Sequence, residues 1–341
     1  MRLPPLLRAT FNTLSGFALT LLGLLFVTFV IGRIVPIDPV LSIVGDRAPM
    51  EVYQRVYREL GLDLPLWQQF AIYVGRVATG ELGDSVLTAQ PVVEDIKTFF
   101  PATFELATAG ILVGVLLGVP LGVAAAVWQD RWPDQVTRVI SLIGYSVPVF
   151  WLGLMGLLLL YAKLGWVSGP GRLDVFFDDL VPRVTGVILI DSALARDWAV
   201  FRNAFGHIVL PASLLGYYSL AYIARMTRSL MLEQLNQEYI TVARIKGLSE
   251  FRVIWRHALG NVLLPLITVI AISYAYLLEG SVLTETVFAW PGLGRYITNA
   301  LFSQDMNAVL GGTIVVGGIF VGLNLLCDLL YKLVDPRVRV G

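Results

Sequence analysis

Six stretches of this chain are long and apolar enough to cross a bilayer, at roughly 11–34, 102–128, 137–163, 208–230, 262–285 and 308–331. A span needs about 20 mostly apolar residues to traverse the hydrocarbon. Within it every backbone N–H and C=O must find a partner inside the protein, so runs of this length are helices. The composition agrees: 56% of residues are hydrophobic and 15% charged, whereas soluble domains carry about 25% charged residues. Mean hydropathy is +0.73. The expected fold class is an all-α membrane protein that crosses the bilayer six times. Net charge is zero, which leaves nucleic-acid binding without electrostatic support. The one cysteine, Cys327, lies inside an apolar run and reads as a small core residue. Arg2 and Arg8 precede the first run as they would a secretory signal, but its apolar core is too long and no small-residue cleavage site follows. The reading is an uncleaved span at 11–34 behind a short N-terminus, 1–10.

Lys and Arg set the orientation, because they accumulate in short cytosolic loops. With the N-terminus inside, 13 of the 25 basic residues fall in about 65 inner positions, leaving 12 for roughly twice that length outside. Seven acids fall at the inner side, so the inside sums to +6 and the outside to −6. Both termini are therefore expected in the cytosol, the C-terminal one as 332–341.

Residues 35–100 then form a long outer insertion with folding signals of its own. Pro49 and Gly61 bracket one helix, and Pro65 and Gly80 bracket a second. Trp67, Phe70, Tyr73 and Val77 give the second an aromatic stripe suited to the membrane interface. Pro101 is expected to open the core of spans two to six, 101–331. In the next outer loop, 164–206, Leu194, Trp198, Phe201 and Phe205 recur on one helical face, with Asp191 or Ser192 as cap. That face either packs on the ends of the spans or receives an outside partner.

Catalytic machinery is missing from the sequence. His207 and His257 fall on opposite sides of the membrane under this topology, and one Cys with two His makes a zinc site improbable. A P-loop needs Gly-Lys, yet Lys97, Lys163, Lys246 and Lys332 follow Ile96, Ala162, Ile245 and Tyr331. If ATP drives this chain, another polypeptide binds the ATP and its magnesium. Intramembrane charge is sparse as well. Asp328 and Lys332 are spaced to pair. Glu279, Ser281 and Glu285 are candidate pathway or gate residues; the alternative for Glu279 is that it bonds a neighbouring helix. Neither midplane charges nor broken helices in inverted repeats, the marks of a secondary transporter, are legible.

One charged segment interrupts the apolar pattern. The inner loop 231–261 contains EYITVARIK, a short amphipathic helix with Tyr239, Val242 and Ala243 toward one side, which Gly247 would terminate. Read alone, it is either a positively charged topology anchor or a helix that seats in a partner's cleft. Several long motifs in order favour the second. Asp38-Pro39, LGLDLPLWQQF at 60–70, GELGDS at 80–85, PATFELA at 101–107, SVPVFWLGL at 146–154 and ARMTRSLMLE at 224–233 are followed by ARIKGLS at 243–249 and RHALGNVLLP at 256–265. LEGSVLTETVFAWPGLGRY at 278–296 and DLLYKLVDPRVR at 328–339 complete the set. With these, nearly the whole chain resembles the B-type permease subunit of the dipeptide/oligopeptide/nickel family of ATP-binding-cassette importers.

The resemblance implies a six-span type I importer transmembrane domain in a bacterial inner membrane, with no catalysis of its own. It also implies a second, homologous permease subunit, two ATPase subunits and a periplasmic solute-binding protein as partners. The family's coupling helix falls on Glu238, Tyr239, Val242, Ala243, Arg244, Lys246, Gly247 and Leu248, with His257, Asn261 and Pro265 supporting the loop. Peptides are the default solute; nickel, glutathione and sugar-type solutes occur in related importers. This chain departs from the pattern where Thr241, Val242 and Ala243 replace the loop's Glu-Ala-Ala, and where Ile37 replaces a glycine before Asp38.

Overall fold

The structure is a computed structural model that describes residues 5–34, 39–45 and 47–334. In chain order its helices are α1 (Pro5–Ile34), α2 (Pro39–Val44), α3 (Met50–Glu59), α4 (Leu66–Ala78), α5 (Val92–Val127), α6 (Trp132–Ser146) and α7 (Val149–Lys163). There follow α8 (Ile188–Leu194), α9 (Trp198–Leu235), α10 (Glu238–Ile245), α11 (Glu250–Gly280), α12 (Val282–Val287), α13 (Leu293–Phe302) and α14 (Met306–Val334). Five helices are long and apolar enough to span a membrane, and the α6–α7 pair makes a sixth. The motif at Ile37–Asp38 and the basic residues Arg337 and Arg339 lie outside the described residues, as do the side chains of Arg8, Cys327, Asp328 and Lys332.

The chain divides into two compact units, Met1–Phe100 with Gly292–Leu325, and Pro101–Pro291 with Leu326–Gly341. In the first unit, the insertion folds as its punctuation predicts. Pro49 and Pro65 precede α3 and α4, where a missing N–H costs nothing. Gly61 and Gly80 follow them at φ +69° and +80°, which glycine takes without strain. The stripe on α4 turns partly inward. Phe70 packs edge-on to Phe26 and Phe29 of α1, and Tyr73 shares a 2.9 Å hydrogen bond with Thr28, while Trp67 stays exposed. A core of Val92, Ile96, Leu293, Tyr296, Ala300 and Ala308 completes the unit. Within it the Tyr296 hydroxyl donates to the buried Asp95 at 2.8 Å.

In the second unit α9 is the central post, with α6 and α11 packed along it. Its contact with α5 is set by glycine. Gly110, Gly114, Gly118 and Gly122 recur every fourth residue, placing them on one face of α5. A Cβ on Gly114 would lie 2.4 Å from Ser219 Cβ, and one on Gly122 would lie 2.5 Å from the Ala224 carbonyl oxygen. Gly216 returns the arrangement, since its Cβ would meet Val113 at 2.6 Å. Close backbone approach of this kind is how membrane helices associate when lipid removes the hydrophobic drive.

Four sequence expectations are corrected here. Pro101 lies within α5, which starts nine residues earlier behind Pro91 with Glu94 and Asp95 in its first turn. The third span is broken by a 99° bend at Val147–Pro148, because proline lacks an N–H and disfavours the helical conformation of the residue before it. Asp197, rather than Asp191 or Ser192, caps α9 by accepting from the Ala199 and Val200 amides, and Arg196 at φ +57° separates Leu194 onto α8. The helix of the fifth span, expected from about 262, begins at Glu250, so that Pro265 lies inside α11, and residues Val253–Ala258 of that helix are wound with a wider, π-type turn.

The glycine contact gives a direct test. Gly114→Leu should destabilise the detergent-solubilised chain by about 1–3 kcal/mol or prevent its accumulation, whereas Gly23→Leu, where a Cβ meets nothing within 4 Å, should leave the melting temperature unchanged. Equal melting temperatures for the two variants would refute the close approach.

Candidate functional site

The segment singled out by its charge hangs between two long helices on very short links. Asn236 and Gln237 join α9 to α10, and four residues, Lys246 to Ser249, join α10 to α11. Gly247 at φ +76° ends α10, its amide donating to the Arg244 carbonyl at 2.9 Å while the Leu248 amide reaches Ala243. The structure divides the side expected to hold Tyr239, Val242 and Ala243 together. Ile240 and Ala243 are buried, with α10 packed against the wide turn of α11. Tyr239 is half-buried and donates to Gln234 Oε1 at 2.8 Å. Val242 and Ile245 face outward, Ile245 80% exposed. Glu238 and Lys246 are exposed and Leu248 half-buried.

Arg244 makes a two-pronged pair with Glu250, at 2.9 and 3.2 Å, and so ties α10 to the start of α11. Phe251 and Trp255, ring centroids 6.2 Å apart, are also exposed on α11. Of the support residues, Asn261 donates to the His257 carbonyl at 3.0 Å. Pro265 lies one turn beyond Asn261, leaving the Asn261 carbonyl without its helical donor.

The three residues proposed for a pathway separate. Ser281 and Glu285 are fully buried; Glu285 Oε1 accepts from the hydroxyls of Thr103 at 2.6 Å and Ser281 at 2.8 Å. The Trp290 indole donates to the Ala102 carbonyl at 2.9 Å in the same region. Ser281 and Glu285 thus join α12 to α5, while Glu279, at the end of α11, is exposed. Among the described residues, no group of three or more His, Cys, Asp or Glu is placed to hold a metal.

A second polar cluster, at the other end of α9 from the charged loop, escaped sequence reasoning. Arg172, in the loop before α8, donates through two nitrogens to Glu105 of α5 and also to the Gly186 carbonyl, while the Leu189 amide completes Glu105. Asp191 is buried and accepts from the Thr185 hydroxyl and the amides of Val184, Thr185 and Gly186. Burial pushes its carboxyl up, but these bonds together outweigh that and hold it below the usual carboxylate range. His207 contacts the Gly169 carbonyl and Asp174. The loop 164–197 is therefore latched rather than loose, and it leaves Val175, Phe176, Trp198 and Phe205 exposed. The available signal was Glu105, a lone acid opening an apolar run, which needs a buried cation.

Comparison with known proteins matches residues 118–340 to the family described as binding-protein-dependent transport system inner membrane component, and residues 6–107 to the N-terminal region of such components. A "Probable D,D-dipeptide transport system permease protein" of Escherichia coli K12 is 43% identical over 96% of both chains. The "Di/tripeptide transport system permease protein" of Pseudomonas aeruginosa is 42% identical over 94% of this chain and 95% of its own. Among solved structures, an inward-facing MetNI methionine ABC transporter matches in fold, with a TM-score of 0.50 and 17% identity, covering 69% of this chain and 93% of that one.

Removing one partner of a buried ion pair strands the other charge, so Arg172→Ala should cost about 3–5 kcal/mol. Glu105→Gln together with Arg172→Met should recover much of that loss, as read from melting temperatures in detergent. A single variant as stable as the parent would show that the latch carries nothing.

Proposed function

This chain belongs to the family of binding-protein-dependent transport inner membrane components, and from that premise we propose that it takes up di- and oligopeptides. It is the multi-pass, inner-membrane permease subunit of an ATP-binding-cassette importer, without catalytic activity of its own. Its partners are an ATPase and a periplasmic binding protein. The peptide assignment is favoured over nickel, glutathione or sugar-type solutes because the relatives that share about 42% identity along nearly their whole length carry peptide-transport names. We further propose one homologous permease subunit and two ATPase subunits per complex, ATP and magnesium bound by the ATPases, and both termini in the cytosol.

The observation that carries the coupling reading is mechanical. Helix α10 is joined by two residues to α9 and by four to α11, so a push on α10 is delivered to two long helices with little slack. A flexible linker would absorb that displacement as chain entropy. Docking is assigned to the exposed face, Val242 and Ile245, with Arg244 and Lys246 beside it. Ala243 instead holds α10 to its own chain. At the outer end, the insertion 35–100 and the exposed aromatic residues of the loop 164–206 are proposed to receive the binding protein. Glu279 is the proposed pathway residue, and Ser281 and Glu285 serve the packing behind it.

Two variants separate docking from folding. Ile245→Asp should leave the chain inserted at near-normal levels while abolishing peptide uptake and the co-purification of the ATPase, because the new carboxylate would need desolvation in the interface. Ala243→Asp should instead reduce the amount of folded chain, since its carboxylate would be buried within this subunit. Normal uptake by Ile245→Asp would defeat the docking assignment.

Orientation has its own test. In a Cys327→Ser background, Asp63→Cys, in the exposed turn before α4, should react with an impermeant maleimide from the outer side. Labelling only after inner-membrane permeabilisation would reverse the topology.

A further inference from the structure

On the side of the membrane that carries α10, helices α6 and α9 enclose a cavity of about 230 Å³ lined by Thr137, Arg138, Ser141, Leu142, Tyr145, Arg225 and Arg228. We infer that it is a binding site for the phosphodiester of an anionic phospholipid. Three guanidinium groups meet here against two carboxylates. Arg228 grips Asp134 through two nitrogens at 2.6 and 2.8 Å, and Arg138 spans Asp134 and Asp130. Those two arginines are committed to the buried Asp134, leaving one cationic charge in excess.

That charge belongs to Arg225. Its guanidinium lies over the Tyr145 ring, 4.7 Å from the centroid, and beside Tyr222 at 5.9 Å. Among the described residues no carboxylate pairs with it. Ring contact occupies the guanidinium face and leaves its N–H edge free, the geometry suited to two phosphate oxygens. An aromatic clamp also orders the side chain in advance, which lowers the entropy cost of binding.

The surroundings favour a lipid over a free phosphate. Trp128 and Trp132, both exposed, flank the turn into α6 and mark the interface there, where such rings concentrate, and the pocket opens about 8 Å further along α6, at Thr137. Val139, Leu142 and Ile143 are exposed on α6, offering an apolar track for acyl chains. A basic pocket between spans, opening near the interface, matches a lipid phosphate in charge. The inference rests on the membrane fold alone and not on what is transported.

The test uses the full chain with its partner subunits, purified from nanodiscs of phosphatidylcholine and phosphatidylglycerol at 3:1 and analysed by native mass spectrometry. The parent should retain phosphatidylglycerol preferentially. Arg225→Gln should lower that preference roughly five-fold, the factor equivalent to about 1 kcal/mol per interfacial arginine. Arg225→Lys, which keeps charge without the planar fork, should fall between them. Arg196→Gln, at the opposite end of α9, should match the parent. Unchanged retention in Arg225→Gln would overturn the site. Saturable binding of inorganic phosphate by the parent without any phosphatidylglycerol preference would overturn the lipid assignment.

Discussion

The close approach of α5 to α9 through four glycines is the constraint on which the second unit depends. In lipid, helices gain nothing by hiding apolar surface from water, so association rests on van der Waals contact and interhelical bonds. A side chain at Gly114 or Gly122 would hold the backbones apart. With α5 seated, α9 becomes a post whose other faces receive α6 and α11. Tyr217 and Tyr218 then donate to carbonyls of α6 and of the residue before Pro148. The 99° bend at Val147–Pro148 is held from α9 as well as caused by proline.

Buried charge lies at both ends of the second unit. At one end Asp134, fully buried, is held by Arg228 of α9 and Arg138 of α6. At the other, Glu105 is held by Arg172, and Asp191 gathers the amides of Val184, Thr185 and Gly186. Ion pairs like these add little net stability over an apolar packing of the same shape, but each is costly to break. Their consequence here is register: sliding α9 along α6 by one turn would strip the buried Asp134 of Arg228 and leave it only Arg138 of its own helix.

The transport reading depends on that rigidity. A coupling helix transmits displacement only if the helices beside it move as bodies. Helix α11 continues without a break in chain from Glu250 to Gly280, and Arg244 with Glu250 braces the link before it. The wide turn at Val253–Ala258 and the carbonyl freed by Pro265 lie between the link and the membrane core. A bend in α11 would form there and leave the spanning part beyond to move as one body, because helical hydrogen bonding is weakest at such points.

The sequence by itself determined that this is an all-α membrane chain, where its spans lie, and which family its motifs resemble, because bilayer length and hydrocarbon polarity act on local composition. It also placed the helices of 49–80, since proline and glycine act within a few residues, and the short helix ending at Gly247. Tertiary structure decided what depends on neighbours. The α6–α7 break was hidden in a continuous apolar run, for hydropathy carries no direction. Ala243 and Val242 sit side by side in sequence, and only the wide turn of α11 makes one a core residue and the other a surface one. Glu279 and Glu285 read alike as acids in an apolar segment, yet the Thr103 and Ser281 hydroxyls enclose only the second. The partners of Glu105, Asp134 and Asp191 lie from four to 94 residues away, and no local pattern specifies the distant ones, which are made by the folding of the whole chain.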